Sequence, residues 1–353
     1  MGIEKIDKNF AVKPEINRDG IKFYDIEDEP FRIYGVFKEN GKFVRLPEST
    51  AKRVSEGVAV LCKNTAGGRV RFVTDSSYVA IHAVMDNVEF MPRFPLSGSA
   101  GFDLFIKGEN GDIYGGSFLP PSDMENGYDE IIDIPQPGLK TITVEFPLYS
   151  DVLKLYIGLD ENARLERAGD YAFESPIVYY GSSITQGGCA SKPGSSYQSI
   201  ISHRFDVNYI NLGFSGSCKG EEAMEEYIAS LDMSVFVYDY DHNAPTASFL
   251  EETHEKFFKM FRQAKPDTPV IMMSRPKYYL TEDDILRRDI IGKTYENAVS
   301  SGDKNVYFID GSSIMDDFVK DNGTVDGCHP TDSGFVCMAK RLSAELERFF
   351  RSR

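Results

Sequence analysis

The chain has 353 residues, which is long for one typical domain and suggests two. Its 41% apolar content excludes general disorder, and a formal net charge of −16 disfavours a phosphate-neutralising surface or docking on anionic membranes. The first ten residues, MGIEKIDKNF, contain no apolar leader segment, and no stretch reaches the length of a membrane span. Met1-Gly2 also lacks the Ser or Thr of a myristoylation signal, because Ile6 stands at the sixth position. The five cysteines, Cys62, Cys189, Cys218, Cys328 and Cys337, form no CxxC pair. Reduced thiols in a cytoplasmic protein are expected, without a disulfide framework or structural zinc.

From about residue 20 to 170 the chain reads as short strands between turns. Apolar or alternating runs cover 21–24, 31–37, 58–61, 70–73, 78–84, 101–106, 140–146 and 152–157. Asn40-Gly41, Asn110-Gly111 and Asn126-Gly127 are turn signals between them. This spacing predicts an all-β sandwich, of jelly-roll type.

After residue 173 the grammar changes. Apolar runs at 177–180, 209–212, 235–240, 270–274 and 306–309 alternate with helical patterns at 197–205, 221–231, 248–264, 284–299 and 333–350. Strand–helix alternation predicts a parallel sheet with helices on both faces. The boundary falls near 165–176, at Arg167-Ala168-Gly169-Asp170 and Ser175-Pro176, giving a sandwich domain over 1–172 and an α/β domain over 173–353.

Two segments of the second domain carry chemistry. Gly181-Ser182-Ser183-Ile184-Thr185 follows the first apolar run, and Asp326-Gly327-Cys328-His329-Pro330 lies near the end. A Ser at the end of a buried strand needs a base to take its proton, and a His needs a carboxylate to fix its tautomer. In parallel sheets the ligand crevice lies at the carboxyl ends of the strands. Ser183, Gly213, Asn243 and His329 all fall just beyond an apolar run or in a late loop, which gathers them at one edge. Taken singly, such residues have plainer uses. A Ser in a strand-to-helix turn is usually a cap, Gly213 suits a turn, Asn243 suits an Asx-turn before Ala244-Pro245, and Asp326 suits a turn before Gly327. His203 and His254 read as surface residues, and His82 as a core residue of its strand.

The second domain resembles the SGNH hydrolase superfamily, the GDSL esterases, over about 176–350. Its blocks occur in order as Gly181-Ser182-Ser183, Gly213 within Asn211-Leu212-Gly213-Phe214-Ser215-Gly216, Asn243 within Asp241-His242-Asn243, and Asp326-Gly327-Cys328-His329. Ser182 replaces the family's usual Asp, which is not the triad carboxylate. Gly101-Phe102-Asp103-Leu104-Phe105 is similar to the Gly-x-Asp-Leu-Tyr motif of a β-sandwich that precedes some of these hydrolases. The resemblance implies a flavodoxin-like α/β/α fold, with Ser183 as nucleophile, His329 as base and Asp326 as its carboxylate. It also implies an oxyanion hole from the N–H groups of Ser183 and Gly213 and the side-chain amide of Asn243. Each such donor is worth about 3–4 kcal/mol. His242, beside Asn243, is a candidate to line the site. Arg93 and Phe94, in the loop Met91-Pro92-Arg93-Phe94-Pro95, are candidates to narrow it from the sandwich.

The implied activity is removal of a short acyl group, such as acetyl, from a carbohydrate or small hydroxylated metabolite. No cofactor or metal is expected. Asp239, Asp241, Glu221 and Glu222 lack His–carboxylate ligand spacing, and carboxylates at strand ends are common. The expected partner is the small-molecule ester; nucleic acid and membrane are not expected, and a homo-oligomer is compatible with the sequence. Two alternatives stand: an acyltransferase using the same residues with an alcohol acceptor, and a carbohydrate-binding protein with a dead hydrolase half.

Overall fold

The computed structural model describes residues 6, 16, 18–109 and 111–350. Asn110 of the expected Asn110-Gly111 turn lies outside them, as does the amino-terminal stretch apart from Ile6. The chain runs through β1 (Ile21–Asp25), β2 (Arg32–Tyr34), β3 (Phe37–Glu39), β4 (Lys42–Val44), α1 (Glu48–Val54) and α2 (Glu56–Leu61). It continues with β5 (Arg69–Thr74), β6 (Tyr78–Asp86), α3 (Leu96–Ser99), β7 (Phe102–Ile106), β8 (Ile113–Phe118), β9 (Gly127–Asp133), β10 (Lys140–Glu145), β11 (Asp151–Asp160) and β12 (Leu165–Glu166).

Eight of these strands form two antiparallel sheets, ordered β1-β11-β6-β9 and β5-β10-β7-β8, with β12 and β2 pairing on β5. Numbered among themselves, the eight run 1-8-3-6 and 2-7-4-5, which is the jelly-roll order. Alternate residues of both sheets, among them Val70, Phe72, Ile81, Leu104, Val144, Leu155 and Ile157, meet in one core. The expected strand at 58–61 is instead α2. The Ser55 hydroxyl accepts the Val58 N–H at 3.1 Å and starts the helix, which buries Val58 against the second domain. The expected strand at 31–37 is split into β2 and β3 by Gly35, whose φ of +74° and contact with the Gly67 carbonyl admit no side chain.

The second half contains β13 (Phe173–Gly181), α4 (Ser183–Gln186), α5 (Tyr197–Phe205), β14 (Val207–Gly213), α6 (Glu222–Ser230), β15 (Val235–Asp239) and α7 (Ala247–Ala264). Then come β16 (Val270–Met273), α8 (Glu282–Ser300), β17 (Val306–Ile309) and α9 (Asp332–Leu346). The sheet is fully parallel in the order β14-β13-β15-β16-β17, a 2-1-3-4-5 doubly wound arrangement. Side chains alternate between its faces. Ile177, Tyr179, Val235, Val237, Ile271 and Met273 pack toward α5 and α9. Val178, Tyr180, Phe236, Tyr238, Val270 and Met272 pack toward α6, α7 and α8. Each fully buried side chain of this size is worth about 1.5–3 kcal/mol. No helix among the described residues is long and apolar enough to cross a membrane.

Buried polar groups join the two halves. Arg45, fully buried, donates to the carbonyls of Leu61, Asn64, Asn211 and Gly213, and its guanidinium lies over the Phe214 ring. Arg69 donates to Asn208 Oδ1 and the Tyr209 carbonyl. Asp103, of the Gly-x-Asp-Leu segment, accepts the Gly194 N–H at 2.7 Å and the Ser117 hydroxyl. Burial raises its carboxyl to about 6 despite these bonds and nearby Lys192.

The histidines depart from their expected places. His82 is exposed on β6 and pairs with Asp129, because its strand turns that face to solvent. His254 is buried on α7, with Nδ1 2.9 Å from the Thr294 hydroxyl and its ring stacked on Tyr238. His203 is only 12% exposed and bridges Asp112 at 2.7 Å and Glu145 at 3.1 Å, while stacking on Phe105. Burial alone would lower His203, but Glu145 and Asp112 raise it to about 9. Burial would raise Glu145, but His203, Ser199 and Arg69 hold it below its ordinary value.

A group raised on folding contributes fully below its unfolded value and loses that contribution as pH rises through its folded value. The His203 bridge is therefore at full strength below its ordinary 6.5 and is lost as pH rises through about 9. Glu145 contributes above its ordinary 4.5 and loses that contribution at lower pH. The melting temperature of the wild type is expected to fall between pH 6.5 and pH 9. His203→Gln should flatten that fall; equal slopes in the two proteins, by scanning calorimetry, would refute the bridge.

Candidate active site

Ser183 stands where β13 turns into α4. Gly181 ends the strand with no room for a side chain, since a Cβ would meet Thr185 Oγ1 and the Asp239 carbonyl. Ser182 caps the turn, its hydroxyl accepting the Ile184 N–H at 3.2 Å. The two adjacent serines are thus separated by geometry: one caps the helix and the other reaches His329. Four neighbours fix α4 itself. Thr185 Oγ1 donates to Asp239 at 2.9 Å, the Gln198 and Asn211 amides donate to the Thr185 carbonyl, and the Gln186 amide donates to Asn64 Oδ1. Asp239, raised to about 7 by burial, also accepts the Tyr197 hydroxyl. Gly187, at φ +101°, ends the helix after one turn.

The Ser183 hydroxyl lies 2.8 Å from His329 Nε2. His329 Nδ1 lies 3.0 Å from Asp326 Oδ2. A carboxylate only accepts, so Nδ1 carries the ring proton and Nε2 is left to accept the serine's. The loop holding the pair closes on itself: the Val325 N–H donates to the His329 carbonyl at 2.8 Å, and Gly327 turns the chain at φ +80°. Asp326 Oδ1 accepts the N–H groups of Cys328 and His329 at 3.1 and 2.9 Å. Oδ2 accepts a further hydrogen bond, from Arg93 Nη1 of the sandwich, at 3.1 Å. Burial would raise Asp326, but the His329 backbone and ring and the Cys328 N–H outweigh it and hold the carboxyl at about 2.

A cavity of about 360 Å³ opens at the His329 and Asp326 end of this row, between the two halves. Arg93, Phe94 and Tyr149 line it from the sandwich, and Cys189, Ser215 and His329 from the hydrolase side. Phe94 is buried and packs edge-to-face on Tyr149, whose hydroxyl donates to the Ser183 carbonyl at 3.3 Å. Arg93 and Phe94 therefore both reach the cleft, although Arg93 engages Asp326.

Two of the expected residues fall elsewhere. Gly213 does not offer a free donor, because its N–H is bound to Asn211 Oδ1 at 2.9 Å. Its missing side chain lets β14 pack on α4, where a Cβ would lie 2.2 Å from the Gln186 nitrogen. Three residues on, Gly216 has φ +64°, open space at its Cβ position and no acceptor for its N–H among the described residues. It is next to Ser215, which lines the cavity. His242 does not line the cavity. Its Nδ1 lies 3.5 Å from Cys328 Sγ, behind the loop, and burial lowers it to about 4. Asn243 points its amide at the same turn as Gly216, donating one N–H to the Phe214 carbonyl at 3.0 Å and keeping a second. Among the described residues no group of His, Cys, Asp and Glu could hold a metal ion.

Residues 174–347 match the GDSL-like Lipase/Acylhydrolase family, and residues 21–165 match GxDLY, the N-terminus of Esterase_SGNH_hydro-type proteins. The chain belongs to the GDSL-like lipase/acylhydrolase family. No curated protein sequence matches it. Among solved structures, a protein described as a GDSL-like lipase from Bacteroides ovatus ATCC 8483 is 26% identical, with a TM-score of 0.84 over 94% of this chain and 99% of that one. Salicylyl-Acyltransferase SsfX3 from a tetracycline biosynthetic pathway is 18% identical, with a TM-score of 0.76 over 95% and 100%. A family two carbohydrate esterase from Cellvibrio japonicus is 12% identical, with a TM-score of 0.60 over 94% and 98%. The last two likenesses establish the fold. The strand order puts Ser183 beyond the first strand of the sheet, at the switch point between β14 and β15.

A fluorophosphonate probe is expected to label the wild type and Ser182→Ala but not Ser183→Ala; loss of labelling in Ser182→Ala alone would reverse the assignment. Asn243→Ala is expected to lower kcat about 100-fold with little change in KM, as removal of an oxyanion donor does. A change confined to KM would instead mark Asn243 as a ground-state contact.

Proposed function

We propose that this chain is a serine esterase that removes a short acyl group from a hydroxylated small molecule through an acyl-enzyme on Ser183. The observation that carries this reading is the unbroken row Ser183 Oγ, His329 Nε2, His329 Nδ1 and Asp326 Oδ2, with steps of 2.8 and 3.0 Å. Ser183 Oγ attacks the ester carbonyl as His329 Nε2 takes its proton, and Asp326 stabilises the imidazolium. Negative charge on the carbonyl oxygen would be met by the N–H groups of Ser183 and Gly216 and the free amide N–H of Asn243. The C–O bond to the alcohol then breaks, and Nε2 returns the proton to the leaving oxygen. A water molecule, deprotonated by the same nitrogen, releases the acid and restores Ser183.

Acetyl is the favoured acyl group and a carbohydrate or similar metabolite the favoured alcohol. Phe94, Tyr149 and Cys189, which wall the cavity, are consistent with a small apolar acyl group. The Cellvibrio carbohydrate esterase and an acetyl xylan esterase from Butyrivibrio proteoclasticus among the fold relatives are consistent with the alcohol. An acyltransferase is the second reading, favoured by the close full-length likeness to the salicylyl-acyltransferase. The acyl-enzyme is common to both. Residues 1–172 and 173–353 are assigned as its sandwich and catalytic domains. Five free cysteines suit work in a reducing compartment such as the cytoplasm.

Acetate release from acetylated sugars and from p-nitrophenyl acetate should be abolished, by three or more orders of magnitude, in Ser183→Ala. Added methanol should divert little of the acyl group if water is the natural acceptor. Predominant transfer to an added alcohol at low concentration would favour the transferase, and no turnover of any ester would remove the proposal.

A further inference from the structure

The turn over residues 241–244 follows β15 and holds Asn243 against the Phe214 carbonyl. Two arginines fix this turn. Arg275 donates to the Asp241 carboxylate three times, through its backbone N–H at 3.0 Å, Nε at 3.1 Å and Nη2 at 2.9 Å. Arg287, itself buried, donates to the carbonyls of Asp241 and Ala244. The Ala244 N–H closes the turn on the Asp241 carbonyl at 3.0 Å. Charge-assisted bonds of this kind are the stronger ones, so the turn is a firm base.

The loop that carries Asp326 and His329 is less firmly held. Val325 and Gly327 are exposed, and the bond from Arg93 comes from a side chain that is 68% exposed. Cys328 is the residue of this loop that packs on the core covered by α5 and α9. Its N–H donates to Asp326 Oδ1, and its carbonyl is joined to His329. Where Cys328 sits therefore bears on both of its neighbours. Its Sγ lies 3.5 Å from His242 Nδ1, in the fixed turn. Burial lowers His242 to about 4 and raises Cys328, so near neutral pH the contact joins a neutral imidazole and a thiol.

A second observation sets His242 apart from a residue that only fills space. Its Nε2 is buried and has no hydrogen-bond partner among the described residues. A buried unpaired nitrogen costs stability, and an apolar side chain of similar size would avoid that cost. We propose that His242 is a positioning residue. Through Cys328 it sets the loop of Asp326 and His329 against the turn that carries Asn243, so that base and oxyanion donor keep one geometry about Ser183. The proposal rests on the esterase reading above.

Two readouts on the full chain separate it from that reading: kcat and KM for p-nitrophenyl acetate, and the rate at which a fluorophosphonate labels Ser183. His242→Leu is expected to lower kcat and the labelling rate about tenfold, because small displacements of reacting groups are amplified in rate. KM should stay within twofold, and the melting temperature within a few degrees of wild type or above it. His242→Asn keeps a polar atom where Nδ1 stands and should recover much of the loss; His242→Gln, whose polar atom falls where Nε2 stands, should not. Cys328→Ala should cost about as much as His242→Leu, and the double variant no more than either. Losses that multiply in the double variant, a loss carried by KM, or wild-type rates in both single variants would overturn the proposal. Equal losses in the Leu and Asn variants with a lowered melting temperature would overturn it too, leaving His242 a packing residue. A wild type that is labelled but turns over no ester would remove the esterase reading, and the labelling rates would then decide the positioning role. A wild type that is not labelled at all would remove both.

Discussion

One carboxylate organises the cleft. Asp326 accepts four hydrogen bonds, two from its own loop on Oδ1 and one each from His329 and Arg93 on Oδ2. The loop bonds fix its orientation before any imidazole is present. The shared Oδ2 then aims the His329 ring at Ser183, and burial of the side chain to 13% exposure keeps these bonds from competing with water. With every lone-pair direction used and the carboxyl held at about 2, the group is an anion throughout the range in which an esterase works. The setting of Ser183, a one-turn helix pinned by Thr185, Gln186 and their partners, completes the row from the opposite side.

The fourth of those bonds gives the sandwich its place in the cleft. Arg93 and Phe94 belong to a loop of the jelly roll, yet they wall the cavity of the α/β half. The interface behind that loop is closely packed and hydrogen-bonded. Arg45 reaches the carbonyls at the end of β14, and Glu145 and His203 form a buried charged pair. Gly98 is in such close contact with Ala190 that a Cβ would lie 2.0 Å from its carbonyl oxygen. Buried charges of this kind are costly unless every donor has an acceptor, so they specify one docking geometry rather than a range.

The fold was legible because its signals are periodic. Alternation along β13, β15 and β16 assigns each side chain to a face, and the strand–helix rhythm marks the parallel sheet. The meeting of Ser183, His329 and Asp326 was legible because these side chains stand in two short motifs, one at a strand end and one in a late loop. The glycine of the second block was not. Gly213 ends β14 and Gly216 stands in the turn just after it, and a glycine's role is set by which N–H is free, here decided by the Asn211 side chain. The bond from Arg93 to Asp326 spans 233 residues, beyond any local pattern. His203 was misread for the same reason: its partners, Asp112 and Glu145, come from the other domain. The helix at 56–61 was hidden by an apolar run too short to distinguish helix from strand, and Ser55 as a cap decided it.

The claim that the sandwich is part of the catalytic apparatus stands or falls on Arg93. Its side chain is 68% exposed, so the pair itself is worth about 1 kcal/mol or less, which corresponds to a factor of about five. The direct measurement is kcat/KM for vinyl acetate in Arg93→Ala and Arg93→Lys, with melting temperatures taken alongside. A cleft built across both domains predicts a fall of about two- to fivefold in Arg93→Ala, carried by kcat, partial recovery in Arg93→Lys and a melting temperature within a few degrees of wild type. An Arg93→Ala enzyme with wild-type kcat would contradict it and would leave the α/β half as the whole of the catalytic machinery.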